Sequence, residues 1–216
     1  MTTKVISVGG SLIAPKFICT HFLRDFRNVV NRHKDKKFII VCGGGYTART
    51  YQRAAGAFAA RNEDKDWLGI FATYLNAKLM ASALGAGKIL TSPMEKIPQK
   101  RVVVASGWKP GRSTDYDAVI LAKRANARGV INMTNVPYVY DKDPKKFRGA
   151  KPLKEISWKD YRKICGNEWK PGANLPFDPI ASRLAQEAGI KVVILKGITN
   201  LKKCLEAGSF EGTIIK

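Results

Sequence analysis

Short apolar segments alternate with longer amphipathic segments along this chain, and no other feature constrains the fold as strongly. The apolar segments, rich in Val and Ile, predict strands at 5–8, 37–42, 88–90, 102–105, 130–133 and 191–195. The segments between them predict helices at about 17–33, 47–61, 66–84, 115–127, 178–188 and 201–207. Such alternation is typical of a parallel sheet with helices on both faces. We therefore predict an α/β protein, a three-layer αβα sandwich with a mainly parallel central sheet.

The length of 216 residues suits a single domain with a substantial core. The stretch from 134 to 154 is predicted as a long loop. Glycines near 107–111 favour a boundary there, between an N-terminal lobe of about 1–107 and a C-terminal lobe of about 108–216.

The charge balance is strongly basic, with 38 Lys and Arg against 17 Asp and Glu and a formal net charge of +21. Such a field attracts anions, whether nucleic acids, nucleotides or other phosphorylated metabolites. The basic residues are spread along the chain and form no stripe with interleaved aromatics. Charge alone therefore does not choose among these partners.

Several classes of site and location are disfavoured. The four cysteines contain no C-x-x-C pair, which argues against a structural zinc site, and no Walker A motif occurs. His21 and His33 lie among charged neighbours, where we expect a solvated helix face. No apolar run approaches the ~18 residues of a membrane span. The first apolar strand breaks at Gly9, too early for a signal peptide, so we expect a cytoplasmic protein.

Two glycine turns follow two successive predicted strands, Gly9-Gly10-Ser11 and Gly43-Gly44-Gly45. Such a turn lets backbone N–H groups approach an anion, and the next helix adds positive potential. One turn alone would indicate only a tight bend, whereas two at strand ends favour phosphate binding. The second turn also fits G-x-G-x-x-A, a weak dinucleotide signal, but the acids with roughly the right spacing, Asp64 and Asp66, lie at a helix start rather than at a strand end.

Three further positions carry chemistry that suits a phosphate site. Arg49 follows the triple glycine and can clamp a phosphate with two hydrogen bonds. Ser113 and Thr114 precede a helix, where a cap and a phosphate would use the same donors. Asp178 begins another helix, either as its N-cap or as a functional carboxylate at the sheet's edge.

These motifs follow one another in an order that resembles the amino-acid-kinase superfamily, and within it the UMP kinase family, particularly its archaeal form. The resemblance covers nearly the whole chain, and the ordered series is far more specific than any single piece. The matching segments are Val8–Ser11, Cys42–Gly45 with Ala48 and Arg49, Asp66 with Gly69–Ala77, Ser113–Asp115, Thr134–Val136, Tyr140–Lys145 and Phe177–Pro179.

The resemblance implies transfer of the γ-phosphoryl group of ATP to UMP, with Mg²⁺ as cofactor, in a homo-oligomer of the hexamer-of-dimers type. It implies catalytic roles for Gly10, Ser11 and Asp178, the last orienting a lysine or organising Mg²⁺, with no residue assigned as a direct metal ligand. It implies UMP binding by Gly43, Gly44, Gly45, Arg49, Asp66 and Thr114. It implies ATP binding by Gly9, Gly10, Thr134, Asn135, Tyr140, Asp143 and Pro144. Neither a membrane nor a nucleic acid is expected as a partner.

The chain departs from the family pattern at two places. Many members of the superfamily have a lysine two residues before the first glycine, where this chain has Ser7. Lys4 lies three residues earlier, ~10 Å along the strand and on its other face, so it is no simple substitute. Lys16 and Lys123 are the candidates for the missing cation. Pro137-Tyr138 replaces the Asp-Gly that usually precedes the ATP loop.

Phosphoryl transfer to UMP requires positioning and charge stabilisation rather than a general base, because the acceptor phosphate is already ionised at pH 7. Three alternatives stay open from the residues. They are another kinase of the same superfamily, a nucleotide- or anion-binding protein of this fold with little or no kinase activity, and a nucleic-acid-binding protein supported by charge alone.

Overall fold

The computed structural model describes residues 1–144, 146–166 and 175–216. The strands of these residues are β1 (Thr2–Val8), β2 (Lys36–Cys42), β3 (Ile89–Leu90), β4 (Val102–Ala105), β5 (Gly129–Met133), β6 (Val139–Tyr140), β7 (Pro152–Leu153), β8 (Glu155–Ile156), β9 (Lys191–Leu195) and β10 (Gly212–Ile215). The helices are α1 (Gly10–Ile13), α2 (Thr20–Arg32), α3 (Gly45–Gly56), α4 (Asn62–Leu84), α5 (Thr114–Arg124), α6 (Trp158–Cys165), α7 (Pro179–Glu187) and α8 (Ile198–Leu205).

Eight of these strands form one central sheet in the order β3-β4-β2-β1-β5-β9-β10-β8. Neighbouring strands run parallel except β9 and β10, which are antiparallel. Strands β6 and β7 form a separate antiparallel pair. The predicted mainly parallel sheet is confirmed, and β1 lies near its centre between β2 and β5.

Helices cover both faces of the sheet, as the three-layer prediction requires. Leu23 and Phe26 of α2 pack with Met80 of α4 and Leu201 of α8 in one apolar cluster. Residues of α5, α6 and α7 form the second cluster on the opposite face. Because side chains alternate along a strand, β1 contributes to both layers.

That alternation decides where Ser7 and its neighbours point. Val5 belongs to the cluster on the α5 side, and Ile6 and Val8 belong to the cluster on the α2 side. Ser7 is buried and donates a hydrogen bond to Asp115 of α5. Lys4 lies on the other face, where its charge acts on Cys204 of α8. The sequence-based conclusion that Lys4 cannot replace a lysine at Ser7 is therefore confirmed.

Local signals account for several helix ends. Ser113 caps α5 by accepting a hydrogen bond from Tyr116 N, and Asp178 caps α7 by accepting one from Ala181 N. Pro179 begins α7, a position where its missing N–H costs nothing. Gly85 ends α4 with a φ of 64°, a conformation that glycine adopts without strain.

Some sequence-based predictions were wrong. Helix α4 begins at Asn62 rather than Asp66, and the stretch predicted as a loop contains β6 and β7. Helix α6 and strand β10 were missed, because short segments carry little periodic signal. His33 is buried with its Nδ1 atom 2.8 Å from Val29 O, not on a solvated helix face. The division into two lobes stays a prediction; both parts contribute strands to one sheet.

In the described part of the chain, no helix combines the length and the apolar character that a membrane crossing needs.

The two glycine turns lie in direct backbone contact at the carboxyl ends of β1 and β2. Gly43 N donates to Val8 O at 2.9 Å, and Tyr46 N donates to Ala14 O at 3.0 Å. A Cβ on Gly10 would overlap the backbone nitrogen of Gly45 and lie 2.5 Å from Gly43 O. The absence of a side chain at Gly10 is therefore what lets the two turns approach.

We expect Gly10→Ala to lower the free energy of unfolding by about 3 kcal/mol, because backbone rather than a flexible side chain must move. Gly87→Ala is the matched control, since nothing lies within 4 Å of a Cβ there. Urea unfolding of both variants checks this expectation. Equal stability of the two variants would contradict the close packing of the turns.

Candidate active site

The carboxyl ends of the parallel strands bring the two glycine turns together with the loops after β4 and β5. Gly9 N donates to Met133 O at 2.8 Å, which joins the first turn to the end of β5. Thr134 N donates to Leu195 O at 3.0 Å, which joins the next loop to the end of β9. Such an edge is where α/β sheets bind ligands.

A cavity of about 200 Å³ opens beside the second glycine turn, between α3, α4 and the start of α5. We call it the acceptor cavity. It is lined by Gly44, Ala48, Gln52, Asp66, Gly69, Ile70, Thr73, Gly107, Arg112, Ser113 and Thr114. The first N–H groups of α3 and α5 have no acceptor within their own helices, and they give this region a positive potential.

Buried side chains of α4 hold the walls of the acceptor cavity in place. Asn76 Nδ2 donates to Gly43 O at 2.7 Å and to Gly44 O at 3.2 Å. Thr73 Oγ1 accepts from Gly107 N at 2.7 Å and donates to Ile70 O at 2.6 Å. Two carbonyl oxygens of the glycine turn are thus bonded to α4, which fixes the orientation of its peptide groups.

Asp66 connects α4 to the loop that precedes α5. Its Oδ2 atom accepts from Gly111 N at 2.8 Å, while the residue also lines the acceptor cavity. The same loop carries Arg112, whose guanidinium carbon lies 4.8 Å from the centre of the Tyr116 ring. Arg112 therefore brings a cation to the cavity wall.

Three carboxylates lie together behind the first glycine turn, and we call Asp115, Asp117 and Asp178 the acid cluster. Asp115 Oδ1 accepts from Ser7 Oγ at 3.0 Å, and its Oδ2 accepts from Asp178 N at 3.3 Å. Asp117 Oδ2 accepts from Trp108 N at 3.1 Å. Asp117 Oδ1 and Asp178 Oδ2 are buried and have no hydrogen-bond partner among the described residues.

Burial shifts the proton equilibria of the acid cluster. Burial and then the charge of Asp178 raise the pKa of Asp115 to about 7. Burial raises the pKa of Asp117 to about 8, and the charge of Arg112 opposes the rise. Burial also raises the pKa of Asp178 above its usual range. The cluster therefore holds protons near neutral pH, and its carboxylates would be stabilised by a nearby cation.

The residues predicted for the acceptor lie mainly around one cavity. Gly44, Asp66 and Thr114 line it, and Gly43 and Gly45 flank Gly44 in the same turn. Arg49 lies exposed on α3 and is absent from the lining. Its clamp on a phosphate stays a prediction.

The residues predicted for ATP lie on the other side of β1. Thr134 and Asn135 follow β5, and Tyr140 lies in β6, where its ring meets Tyr138 edge to face at 6.4 Å. Asp143 and Pro144 are exposed in the loop after β6. Lys145, part of the same motif, lies outside the described residues. Their contact with ATP stays a prediction.

Of the two candidates for the missing cation, Lys123 lies too far from the site, so its prediction was wrong. It lies in the last turn of α5, ~13 Å from the helix start that faces the site. Lys16 is exposed beyond α1 and stacks on Phe17 at 5.5 Å. Arg112 was missed, because nothing in its local sequence distinguishes it from a surface arginine.

Sequence reasoning also missed the roles of Asp115, Asp117, Thr73 and Asn76. The hydrogen bond between Ser7 and Asp115 joins residues 108 positions apart, so no spacing rule could have found it. The pair Asp115 and Asp117 in the first turn of α5 was a usable signal, since that turn follows a glycine-rich loop.

The model of the amino acid kinase family matches residues 2–196 of this chain. The chain belongs to the amino acid kinase family. A protein named uridylate kinase from Thermoplasma volcanium is 34% identical over 209 residues, which is 94% of this chain and 92% of that protein. One of the same name from Methanocaldococcus jannaschii is 33% identical, with 98% of each chain covered.

Solved structures agree with this family membership. The crystal structure of uridylate kinase from Archaeoglobus fulgidus matches with a TM-score of 0.80 and 30% identity over the whole of both chains. A UMP kinase structure from Ureaplasma parvum matches with the same TM-score at 20% identity and supports the amino acid kinase fold alone.

We expect Asp117→Asn to change how stability depends on pH in this amino acid kinase. Between the unfolded pKa near 4 and the folded pKa of about 8, the folded state retains a proton that the unfolded state releases. The free energy of unfolding of the wild type therefore falls as pH rises through that window. Asn does not titrate, so the variant should gain roughly 2–4 kcal/mol over the wild type between pH 5 and pH 9.

Urea unfolding at several pH values measures this difference. Asp160→Asn is the control, because that exposed carboxylate has a pKa lowered by its hydrogen bond to Lys163. Curves for Asp117→Asn and wild type that stay parallel from pH 5 to pH 9 would mean that Asp117 is ionised throughout.

Proposed function

We propose that this protein transfers the γ-phosphoryl group of ATP to UMP, giving UDP. One observation carries the proposal. The two glycine turns follow β1 and β2, and β1 lies between β2 and β5 in the sheet. The residues predicted to bind UMP follow β2 and β4, and most of the residues predicted to bind ATP follow β5, so the two ligands would meet at the end of β1. The relatives of similar length named uridylate kinase support UMP as the acceptor.

The acceptor cavity suits a nucleoside monophosphate. The amide groups at the start of α3 suit its phosphate, and the carboxylate of Asp66 suits ribose hydroxyls. Gly10 and Ser11, between the two ligand groups, would lie along the transferring phosphoryl group. Asn76 and Thr73 would keep the cavity wall rigid, because both are buried and hydrogen-bonded to loop backbone.

The reaction brings two anions together, so its main requirement is positive charge that is already in place. No base is needed, since the UMP phosphate is ionised at neutral pH. We propose Arg112 as the protein cation that opposes this repulsion. It lines the acceptor cavity, and its charge opposes the rise in pKa that burial causes at Asp117 and Asp178.

Mg²⁺ fits this site as an ion held largely by the nucleotide. The described residues contain no group of three or more His, Cys, Asp or Glu side chains that could hold a metal. Mg²⁺ commonly uses one or two carboxylates and completes its shell with phosphates and water. Asp178, with a buried Oδ2 atom that lacks a hydrogen-bond partner, fits that role. The ion would neutralise charge on the phosphates of ATP.

A coupled assay with ATP, Mg²⁺ and a panel of nucleoside monophosphates tests the proposed reaction. UDP formation that depends on Mg²⁺ and is fastest with UMP is the expected result. ATP binding with no turnover of any acceptor would instead favour a nucleotide-binding protein that has lost the chemistry. Ser7 bonds to Asp115 at the position where the family pattern of many superfamily members predicts a lysine, and this departure is the observation that keeps the alternative open.

We expect Arg49→Ala to weaken UMP binding by about 10- to 100-fold, the range of a lost charge-assisted hydrogen bond, with little change for ATP. Arg53→Ala is the control, because Arg53 is also exposed but lies one turn farther along α3. Calorimetric titration of each variant with UMP and with a non-hydrolysable ATP analogue separates the two affinities. Equal losses for both ligands would remove Arg49 from the acceptor site.

We also propose that copies of the chain associate through α4, as a homo-oligomer of the hexamer-of-dimers type. One face of α4 packs on the sheet through Ala72, Ala77 and Met80. Another face exposes Trp67, Phe71, Tyr74 and Leu75, with Phe71 64% exposed and Leu75 60%. A helix that is apolar on both faces is typical of a buried helix. A second copy would cover this face symmetrically.

We expect Phe71→Asp to shift the protein toward smaller species in analytical ultracentrifugation. The substitution would bury a charge without a partner in the proposed interface. Met94→Asp, at an exposed site away from α4, should leave the assembly unchanged. A wild type that sediments as a monomer at all concentrations would contradict the proposal.

The location in the cytoplasm stays a prediction.

A further inference from the structure

Basic side chains are concentrated at the amino edge of the parallel sheet, the edge opposite the acceptor cavity. Lys100 and Arg101 precede β4, Lys36 and Lys37 begin β2, Arg128 precedes β5, and Lys191 begins β9. We call these six residues the basic edge. They are scattered between positions 36 and 191 of the sequence, which is why they form no continuous basic segment in it.

The strand register brings the basic edge into one row. Lys37 pairs with Thr3 of β1, and Phe38 N donates to Arg101 O at 2.7 Å. On the other side of β1, Val5 pairs with Val130, and Gly129 pairs with Lys191. The row crosses five neighbouring strands at ~4.8 Å a step, so it extends over ~19 Å.

Few acidic side chains offset this charge. Asp35 pairs with Lys36 at 2.7 Å, and Glu187, before β9, lies 3.7 Å from Arg183. Lys100, Arg128 and Lys191 are exposed and form no ion pair with any described residue. Their positive charge is therefore available to a ligand.

Helix ends account for only part of this charge. Arg32 and Lys123 lie in the last turns of α2 and α5, where they complement the negative ends of the helix dipoles. Lys100, Arg128 and Lys191 belong to no helix, so helix dipoles do not explain the presence of positive charge at these three positions. They extend the positive field along the edge instead.

We propose that the basic edge binds the phosphodiester backbone of a nucleic acid, in addition to the proposed kinase activity. A row of cations over ~19 Å spans about five base-pair steps at ~3.4 Å each along a duplex, and several phosphates come within reach. Among the described residues at the starts of β1, β2, β4, β5 and β9, Met1 is the only large apolar side chain that is exposed. Without aromatic side chains for stacking, the contact reads no bases and is independent of sequence.

The same composition disfavours a membrane surface as the partner, because peripheral helices insert several apolar side chains alongside their basic ones. The basic edge is also separated from the proposed active site by the length of the strands. Seven residues of β1 span ~20 Å, so nucleic acid and nucleotides would not compete for one position.

The test measures binding of the intact protein to fluorescent duplex RNA and duplex DNA of one sequence, by anisotropy over a salt series. With about four phosphate contacts, the slope of log affinity against log salt should be about −4, a loss of roughly 100-fold between 50 and 200 mM salt. Binding of either duplex with this salt dependence is the expected result, and the difference between the two affinities shows which type of duplex the basic edge prefers.

A charge-reversal variant localises the contact. Lys100→Glu, Arg128→Glu and Lys191→Glu together should weaken duplex binding by at least ~100-fold, the loss expected when most phosphate contacts are removed. The control combines Lys151→Glu, Lys154→Glu and Lys196→Glu, exposed positions before β7, before β8 and after β9 that lie toward the opposite edge of the sheet, and changes the net charge equally. It should weaken binding by less than ~10-fold, and the basic-edge variant should keep the wild-type rate of UMP phosphorylation.

Equal weakening by the two triple variants would overturn the proposal, since it would assign binding to the net charge of the whole molecule. No measurable duplex binding at low salt would overturn it as well. Tighter binding to phosphatidylglycerol vesicles than to either duplex would assign the basic edge to a membrane surface instead.

Discussion

The contact between the two glycine turns is the constraint on which the rest of the structure depends. Gly10 meets Gly43 and Gly45 with no room for a Cβ, and this close approach brings the ends of β1 and β2 together. The start of α3 is thereby directed at the acceptor cavity, and the first turn lies beside β5. A wider separation would move the two ligand groups apart, and phosphoryl transfer depends on their distance.

Behind the turns lies an unusual electrostatic arrangement. The acid cluster is buried, with pKa values of about 7 for Asp115 and about 8 for Asp117. Ser7 satisfies one oxygen of Asp115 but brings no positive charge. The charge of Arg112, on the loop before α5 rather than on β1, opposes the rise in the pKa of Asp117 and of Asp178. In the role that we propose for Arg112, this loop supplies the positive charge that a lysine on β1 would otherwise supply, and the backbone contact between the glycine turns is retained.

The parallel topology gives the two edges of the sheet different chemistry. Helix starts and backbone N–H groups meet at the carboxyl edge, where they suit bound phosphates. Helix ends and the first residues of strands meet at the amino edge, and there the chain has basic side chains with few acids. The first edge forms a shaped cavity with backbone N–H groups that suit small anions, and the second forms a straight row of basic side chains.

The sequence by itself determined the fold class, because the alternation of strands and helices and the two glycine turns are local patterns. It also supplied the family resemblance, since the order of motifs along a chain is a property of sequence. Six strands, β1 to β5 and β9, were predicted, whereas β6, β7, β8 and β10 were not, because these short segments carry little local pattern and depend on pairing.

Only the tertiary structure decided which distant residues meet. Ser7 reaches Asp115 across 108 positions, Asn76 reaches Gly43 across 33, and the basic residues at the starts of four strands from distant segments are aligned into the basic edge. These contacts arise from strand order and register, which are set by how all the layers pack together. Local propensity carries no information about them, so a site assembled from several strand ends is known in full only once the chain has folded.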